Sequence, residues 1–260
     1  MAFRQYGNTY FIFLCISRCM DCIEAHWNRR SVSYDDFVVK GFSNMKERRS
    51  WQSHFTSILG NKPLNILDVG CGPGIVSMQL AELGHNVVAV DISDSMLDCA
   101  RKNALDNNLD IDFRKGNAMC LDIPDSSFDA VVSDYMLWTV PDPNKVISEW
   151  NRVLKADGIL AYTDGDWFND PMSTPFRCKV SDMFMRLSGA KPDEGDSNEF
   201  EECTLWSRTA SRPNDDIPML ENAGFRDIHV IHGVQKKVLH GMRYYAHGYT
   251  NNHFTVVARK

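Results

Sequence analysis

An acidic residue followed by three alternating glycines, Asp68-x-Gly70-x-Gly72-x-Gly74, is the pattern in this chain best suited to chemistry on a bound ligand. A turn that runs close against a nucleoside needs residues without Cβ, some of them at positive φ, and glycine meets both needs. The elements that must position such a turn stand on either side of it. Leu64-Asn65-Ile66-Leu67 is an apolar run of strand length leading into Asp68, Ile75 to Leu83 carries apolar positions at helical spacing, and Gly84 stands where a helix C-cap belongs. A second apolar run, Val87-Val88-Ala89-Val90, ends at Asp91, about twenty residues past the turn, where a nucleotide-type βαβ unit sets a carboxylate on ribose hydroxyls. A glycine-rich turn alone is as well explained as a tight loop without a ligand. Strand, helix and second acid together point to a nucleoside.

The spacing also bears on which nucleotide. Dinucleotide folds use Gly-x-Gly-x-x-Gly, whose third glycine lets helix and strand pack closely. This chain lacks that spacing and any Tyr-x-x-x-Lys pair, both of which weigh against a nicotinamide (NAD)-dependent oxidoreductase. With its acid two positions before the first glycine, the motif resembles that of class I S-adenosylmethionine-dependent methyltransferases. The resemblance continues downstream. Ser93, Met96, Leu97 and Ala100 match a Ser-x-x-Met-Leu-x-x-Ala helix, and Gly116-Asn117-Ala118 stands where the family has a Gly-Asp-Ala turn beside the adenine. The Asn117 amide oxygen is still able to accept from the adenine amino group. Leu121 to Ser133 resembles the family's loop and fourth strand, and Val146 to Lys155 its Arg-Val-Leu-Lys-Pro-Gly-Gly stretch, ending here in Ala156-Asp157-Gly158. The match runs from Trp27 to Thr163 and is nearest to the ubiquinone and menaquinone biosynthesis methyltransferases.

What the resemblance implies is specific. The fold is an α/β, Rossmann-like, doubly wound seven-stranded sheet, mostly parallel, whose antiparallel last strand inserts between the fifth and sixth. S-adenosyl-L-methionine lies against Asp68, Gly70, Cys71, Gly72 and Gly74, then Asp91, Ile92 and Met96, with Asn117 and Ala118 by the adenine, Ser133 at the end of the fourth strand and Tyr34 closing from an N-terminal cover. The activated methyl group needs a nucleophile held in line and water kept out. A general base helps when the nucleophile is a phenol or an enolised ring carbon, and candidates lie just past the fourth strand. Asp134 and Tyr135 are the expected catalytic pair, with Met136 and Trp138 as an apolar wall, although Tyr135, Leu137 and Trp138 are equally well read as packing at a helix start. Asp164 and Trp167, after the fifth strand, are second-tier substrate contacts.

Composition bounds the rest. A chain of 260 residues with 43% hydrophobic content buries one sizeable core. The expected organisation is a single domain over 20–260, with a helical cover over 20–60 and a lid-like insertion over 169–216, preceded by residues 1–19 as a disordered tail or start-site artefact. A net charge of −6 disfavours nucleic acid as substrate. Lys46-Glu47-Arg48-Arg49, the compact basic cluster, reads as a solvated helix face. No apolar run reaches bilayer length, and the eight scattered cysteines suit a reducing, cytoplasmic setting. Cys19-x-x-Cys22 lacks the second ligand pair of a metal site, and no metal is expected. Cys71 reads as a small filler rather than a reactive thiol at a helix N-terminus. His26 and His54 flank the cover and read as structural. The methionine-rich stretch from Met172 to Leu187 suggests one helix, followed by an acidic loop from Lys191 to Glu199. The acceptor is a small molecule of undetermined identity, and the oligomeric state is open. A non-catalytic cofactor-binding subunit is the alternative from a different class.

Overall fold

The computed structural model of the chain describes residues 3–169, 174–187, 205–245 and 253–260. It opens with two helices, α1 (Phe3–Ser43) and α2 (Met45–Leu59). Asn44 separates them in an extended conformation, and its side-chain oxygen accepts from the amides of Lys46 and Glu47, an N-cap that restarts the helix. Helix α1 begins at Phe3, so residues expected as a tail enter its first turns.

The expected βαβ unit follows: β1 (Asn65–Val69), α3 (Ile75–Glu82) and β2 (Asn86–Asp91). Then come α4 (Asp94–Asp106), β3 (Asp112–Lys115), β4 (Phe128–Asp134), α5 (Pro143–Val153) and β5 (Leu154–Gly165). Helix α4 starts where Ser93 caps the Met96 amide, and α5 where Asp142 caps Lys145 just ahead of Pro143. Helix α5 stops at Val153, because Leu154 already pairs with Phe128 ahead of a register shift between β4 and β5. The chain closes with α6 (Pro175–Leu187), α7 (Asp216–Asn222), β6 (Arg226–His232), α8 (Val234–Val238) and β7 (His253–Arg259). Of the expected insertion, the acidic loop from Lys191 to Glu199 lies outside the described residues.

The seven strands form one sheet in the order β3-β2-β1-β4-β5-β7-β6. Strand β7 runs antiparallel to both β5 and β6. Each face is covered by helices. On one, Phe55 and Leu59 of α2 and Val76 and Leu80 of α3 pack on Ile66, Ala130 and Val132. On the other, Val146, Ile147 and Trp150 of α5 and Leu220 of α7 pack on Leu67, Val131, Leu160 and Val256. Side-chain alternation along β4 thus feeds both halves of the core. The doubly wound α/β architecture is the expected one, and its carboxyl edge, where the strand order reverses between β1 and β4, is where such sheets take ligands.

Candidate active site

At that edge the glycine turn leaves β1 with Gly70, Gly72 and Gly74 all at positive φ. A Cβ on Gly70 would run into the Met136 side chain, and one on Gly74 would press on Ala100 and Phe113 at 3.1 and 3.2 Å. The turn is braced from β2. Asp91 accepts from the Gly72 amide at 2.8 Å with Oδ2 and from the Ser93 amide at 2.9 Å with Oδ1. Each carboxylate oxygen keeps a further lone pair for a ligand hydroxyl.

Asp68 is 1% exposed. Its Oδ2 accepts from the Ser77 hydroxyl at 2.5 Å, while Oδ1 has no partner. Burial raises its pKa to about 7 against the relief given by Ser77, and Asp91 adds to the rise. Asp134, at the end of β4, also has a buried, unpartnered Oδ1, and burial, followed by the charges of Asp68 and Asp164, holds its pKa well above the usual carboxylate range. Asp68, Asp91 and Asp134 form no ion pair among the described residues. Asp68 and Asp91 are buried and Asp134 half-buried, and the three carboxyls, two of them with an orphaned oxygen and none paired with a cation among the described residues, leave this edge electrostatically incomplete until a positively charged group joins them.

Helix α1 lies over the glycine turn and the start of α4. The Asn28 amide oxygen accepts from the Ser93 hydroxyl at 2.7 Å and the Ser95 amide at 3.2 Å, and Asp35 accepts at 2.6 Å from Asn103, which also donates to the Pro73 carbonyl. Tyr34 thereby approaches the glycine turn, its Cε1 lying 3.9 Å from the Cβ position of Gly72. Burial and then the Asp134 charge push its phenol pKa up, so it stays a neutral donor. Trp27 meets the Tyr34 ring edge-on at 5.5 Å.

Other expected contacts are placed differently. Ser133 turns into the sheet and donates to the Val69 carbonyl at 2.7 Å, sealing β1 to β4 rather than presenting a hydroxyl to a ligand. The Asn117 oxygen accepts from the Met119 amide at 2.9 Å, so it shapes its own turn and offers one remaining lone pair. Cys71 is buried, and burial, then Asp91 and Asp68, raise its thiol pKa further, which suits a filler. Met96 is buried with its amide capped by Ser93, while Ile92 and Ala118 are half-buried, Ala118 packing against the core.

Beyond Asp134 the chain takes a left-handed step at Tyr135, φ 53°. That step swings the phenol against Trp167 and His253, at ring distances of 5.8 and 5.4 Å, and those two rings meet each other at 5.0 Å. Gln235 donates to the Tyr135 hydroxyl and sits 3.1 Å from His253 Nδ1, leaving its own Oε1 buried without a partner. Burial lowers the His253 pKa to about 4, so the ring is neutral. Trp138 donates its indole N–H to the Tyr135 carbonyl, whereas Leu137 drops into the core. Tyr135 and Trp138 therefore line a cage, Trp138 also packing against Cys19, Ile23 and Leu205, while Leu137 lies in the core. His253 and Gln235 escaped sequence reasoning, although an antiparallel last strand necessarily starts at the edge where the parallel strands end.

Asp164 corrects an expectation. Its four hydrogen bonds come from Arg212, the amides of Trp138 and Gly165, and the Trp167 indole, so nothing remains for a substrate. Arg212 also pairs with Asp216 at 2.6 Å, and Tyr162 donates to that carboxylate at 2.8 Å. The network fastens the segment from Leu205 to Asp216 against the cage. His54 is likewise structural, 8% exposed, with Nε2 2.9 Å from the Thr255 hydroxyl. The basic cluster is divided: Arg48 pairs with Glu82 and Glu47 with Arg243, while Lys46 and Arg49 line a cleft.

Comparison with known proteins shows the family of the chain. A demethylmenaquinone methyltransferase from Renibacterium salmoninarum is 30% identical over 211 residues, covering 80% of this chain and 85% of that protein. The chain belongs to the class I S-adenosylmethionine-dependent methyltransferases. The family profile described as a methyltransferase domain matches residues 67–162 of this methyltransferase, from β1 into β5. A ubiquinone biosynthesis O-methyltransferase from Actinobacillus pleuropneumoniae is 35% identical over 120 residues, 43% of this chain and 49% of that protein. Among solved structures, a SAM-dependent methyltransferase from Aquifex aeolicus superposes with a TM-score of 0.57 at 20% identity, covering 89% of this chain and 97% of that one, which establishes the shared fold. Among the described residues no helix is long and apolar enough to cross a membrane.

Proposed function

We propose that this methyltransferase uses S-adenosyl-L-methionine as methyl donor and methylates an aromatic hydroxyl compound of the quinol class, acting in the cytoplasm. The observation that carries the donor is the convergence of Asp68, Asp91 and Asp134 without a cation beside a glycine turn. When bound, the donor supplies a methyl group activated by a sulfonium. Asp91 would receive the ribose hydroxyls, the orphaned Asp68 Oδ1 would face the positively charged donor, and Tyr34 would close over it.

The cage of Tyr135, Trp167 and His253 offers ring edges and faces to a flat acceptor, and the unpartnered Gln235 Oε1 suits a hydroxyl donor. The relatives named for demethylmenaquinone and ubiquinone biosynthesis support the same class. Asp134 would take the acceptor proton. Its raised pKa makes it a poor anion alone, and a sulfonium beside it favours the ionised form. Purified protein with methyl-labelled S-adenosylmethionine and a panel of quinol acceptors should transfer label to one of them and release one S-adenosylhomocysteine per methyl group. Bound donor with no transfer across the panel, and a recurring protein partner in pull-downs, would instead support a non-catalytic subunit.

A further inference from the structure

Helix α2 carries a line of polar residues beside the face it packs on the sheet. Lys46, Arg49, Ser53 and Ser57 recur along it at helical spacing, and with Ile231 of β6 and Lys237 of α8 they line a cleft of about 630 Å³ that reaches the buried imidazole of His54. The charge in the cleft has one sign. No carboxylate lines it, and Lys46, Arg49 and Lys237 make no ion pair among the described residues. Glu47, the acid of the run from Lys46 to Arg49, is buried against Arg243, and Arg48 is paired with Glu82. His240 adjoins the cleft, its Nε2 3.0 Å from the Ser50 hydroxyl. The uncompensated charge reaches inward: burial, and then Lys237, lower the His54 pKa to about 4, so that ring is neutral.

We infer that this cleft is a binding site for a phosphorylated small molecule. It shares no lining residue with the edge where Asp68, Asp91 and Asp134 stand, so the inference is independent of the function proposed above. A concave site of one charge sign with low-dielectric walls gathers counter-ions, even on a chain of net charge −6. Three cations call for more than a single negative charge. A phosphate ester brings about 1.5 to 2 charges at pH 7, where a carboxylate brings one.

The donors fit phosphoryl oxygens. Arg49 offers a planar fork, Lys46 and Lys237 compact point charges, and the Ser53 hydroxyl, which makes no hydrogen bond among the described residues, a further donor. Met45, 54% exposed, and Ile231 add apolar surface for the body of the ligand. The volume falls among those of small-molecule sites, roughly 300–1,000 Å³. Helix α8 also joins the cleft to the aromatic cage: Lys237 lines the cleft, and Gln235, two residues earlier, donates to the Tyr135 hydroxyl. A phosphate held by Lys237 therefore rests on the helix that carries one wall of the cage.

Titration calorimetry of the full chain with inorganic pyrophosphate, and with acetate as the singly charged control, tests the site, and nuclear magnetic resonance of histidine-labelled protein locates it. One pyrophosphate should bind per chain, more tightly than acetate, and should shift the His54 ring resonances. Arg49→Gln and Lys237→Gln should each weaken binding by roughly five- to tenfold. Lys102→Gln, which removes the same charge from an exposed position on α4, should leave it unchanged. Retention of the protein on phosphatidylglycerol vesicles, lost in Arg49→Gln and Lys237→Gln and reversed by pyrophosphate, would assign the phosphoryl group to a lipid headgroup; pyrophosphate binding without retention would assign it to a soluble ester. No binding at millimolar pyrophosphate, binding that leaves His54 unmoved, or an equal loss in Lys102→Gln overturns the inference.

Discussion

Asp68 and Asp91 are a pair of acids with similar burial and different chemistry. Asp91 has both oxygens bonded to amides, Gly72 and Ser93, whereas Asp68 has one oxygen bonded and one orphaned. The difference predicts a pH dependence. The folded pKa of Asp68 is raised to about 7, above its unfolded value, so the unliganded protein binds the extra proton and loses stability as pH rises from about 4 to about 7. A cationic ligand favours the ionised form, and Asp134, also raised, adds the same sign. S-adenosylmethionine affinity should therefore strengthen with rising pH, by at most about tenfold per unit per group, with the Asp68 contribution levelling off above about 7. Calorimetric Kd values across that range check it, and Asp68→Asn should flatten the profile. Both acids were legible in the sequence because a local strand-turn-helix unit determines where they point. Ser133 was not, because its hydroxyl answers to the Val69 carbonyl on a strand distant in the chain.

At the scale of elements, β7 and the segment before α7 complete what the βαβ units begin. Arg212 is 5% exposed and lies between Asp164 on β5 and Asp216 at the start of α7, with its guanidinium over the rings of Trp206 and Phe254. Removing the cation leaves two buried carboxylates unpaired. Arg212→Met should cost about 3–5 kcal/mol in urea unfolding, and because Asp164 also holds the Trp138 amide and the Trp167 indole, it should disturb the cage as well. Near-wild-type stability would mean the network is dispensable. None of this could be seen from Asp164 alone. An Asp-Gly-Asp-Trp stretch at a strand end looks like a solvated turn or a ligand site, and only a partner 48 residues away shows it to be neither. The strand, glycine turn, helix and second strand expected around Asp68 and Asp91 are β1, α3 and β2, each carried by local signals, and α4 and α5 begin at the local caps Ser93 and Asp142.

For the whole molecule, an acidic chain folds so that its least compensated carboxyls gather at one edge of the sheet, while cations gather in the cleft between α2 and α8. The sheet order and the antiparallel β7 are those implied by the family resemblance that the residues between Trp27 and Thr163 carry. What that pattern could not show is the far wall of the site, since His253, Gln235 and Arg212 reach it through topology rather than spacing. Titration calorimetry with S-adenosylmethionine and NAD, on the wild type and Asp91→Ala, asks whether this edge of the sheet binds S-adenosylmethionine. One S-adenosylmethionine should bind per chain, with no NAD binding, and affinity should weaken in Asp91→Ala by roughly ten- to a hundredfold, the loss of a charge-assisted hydrogen bond of about 1.5–3 kcal/mol. Binding of NAD in place of S-adenosylmethionine, or an affinity indifferent to Asp91, would contradict it.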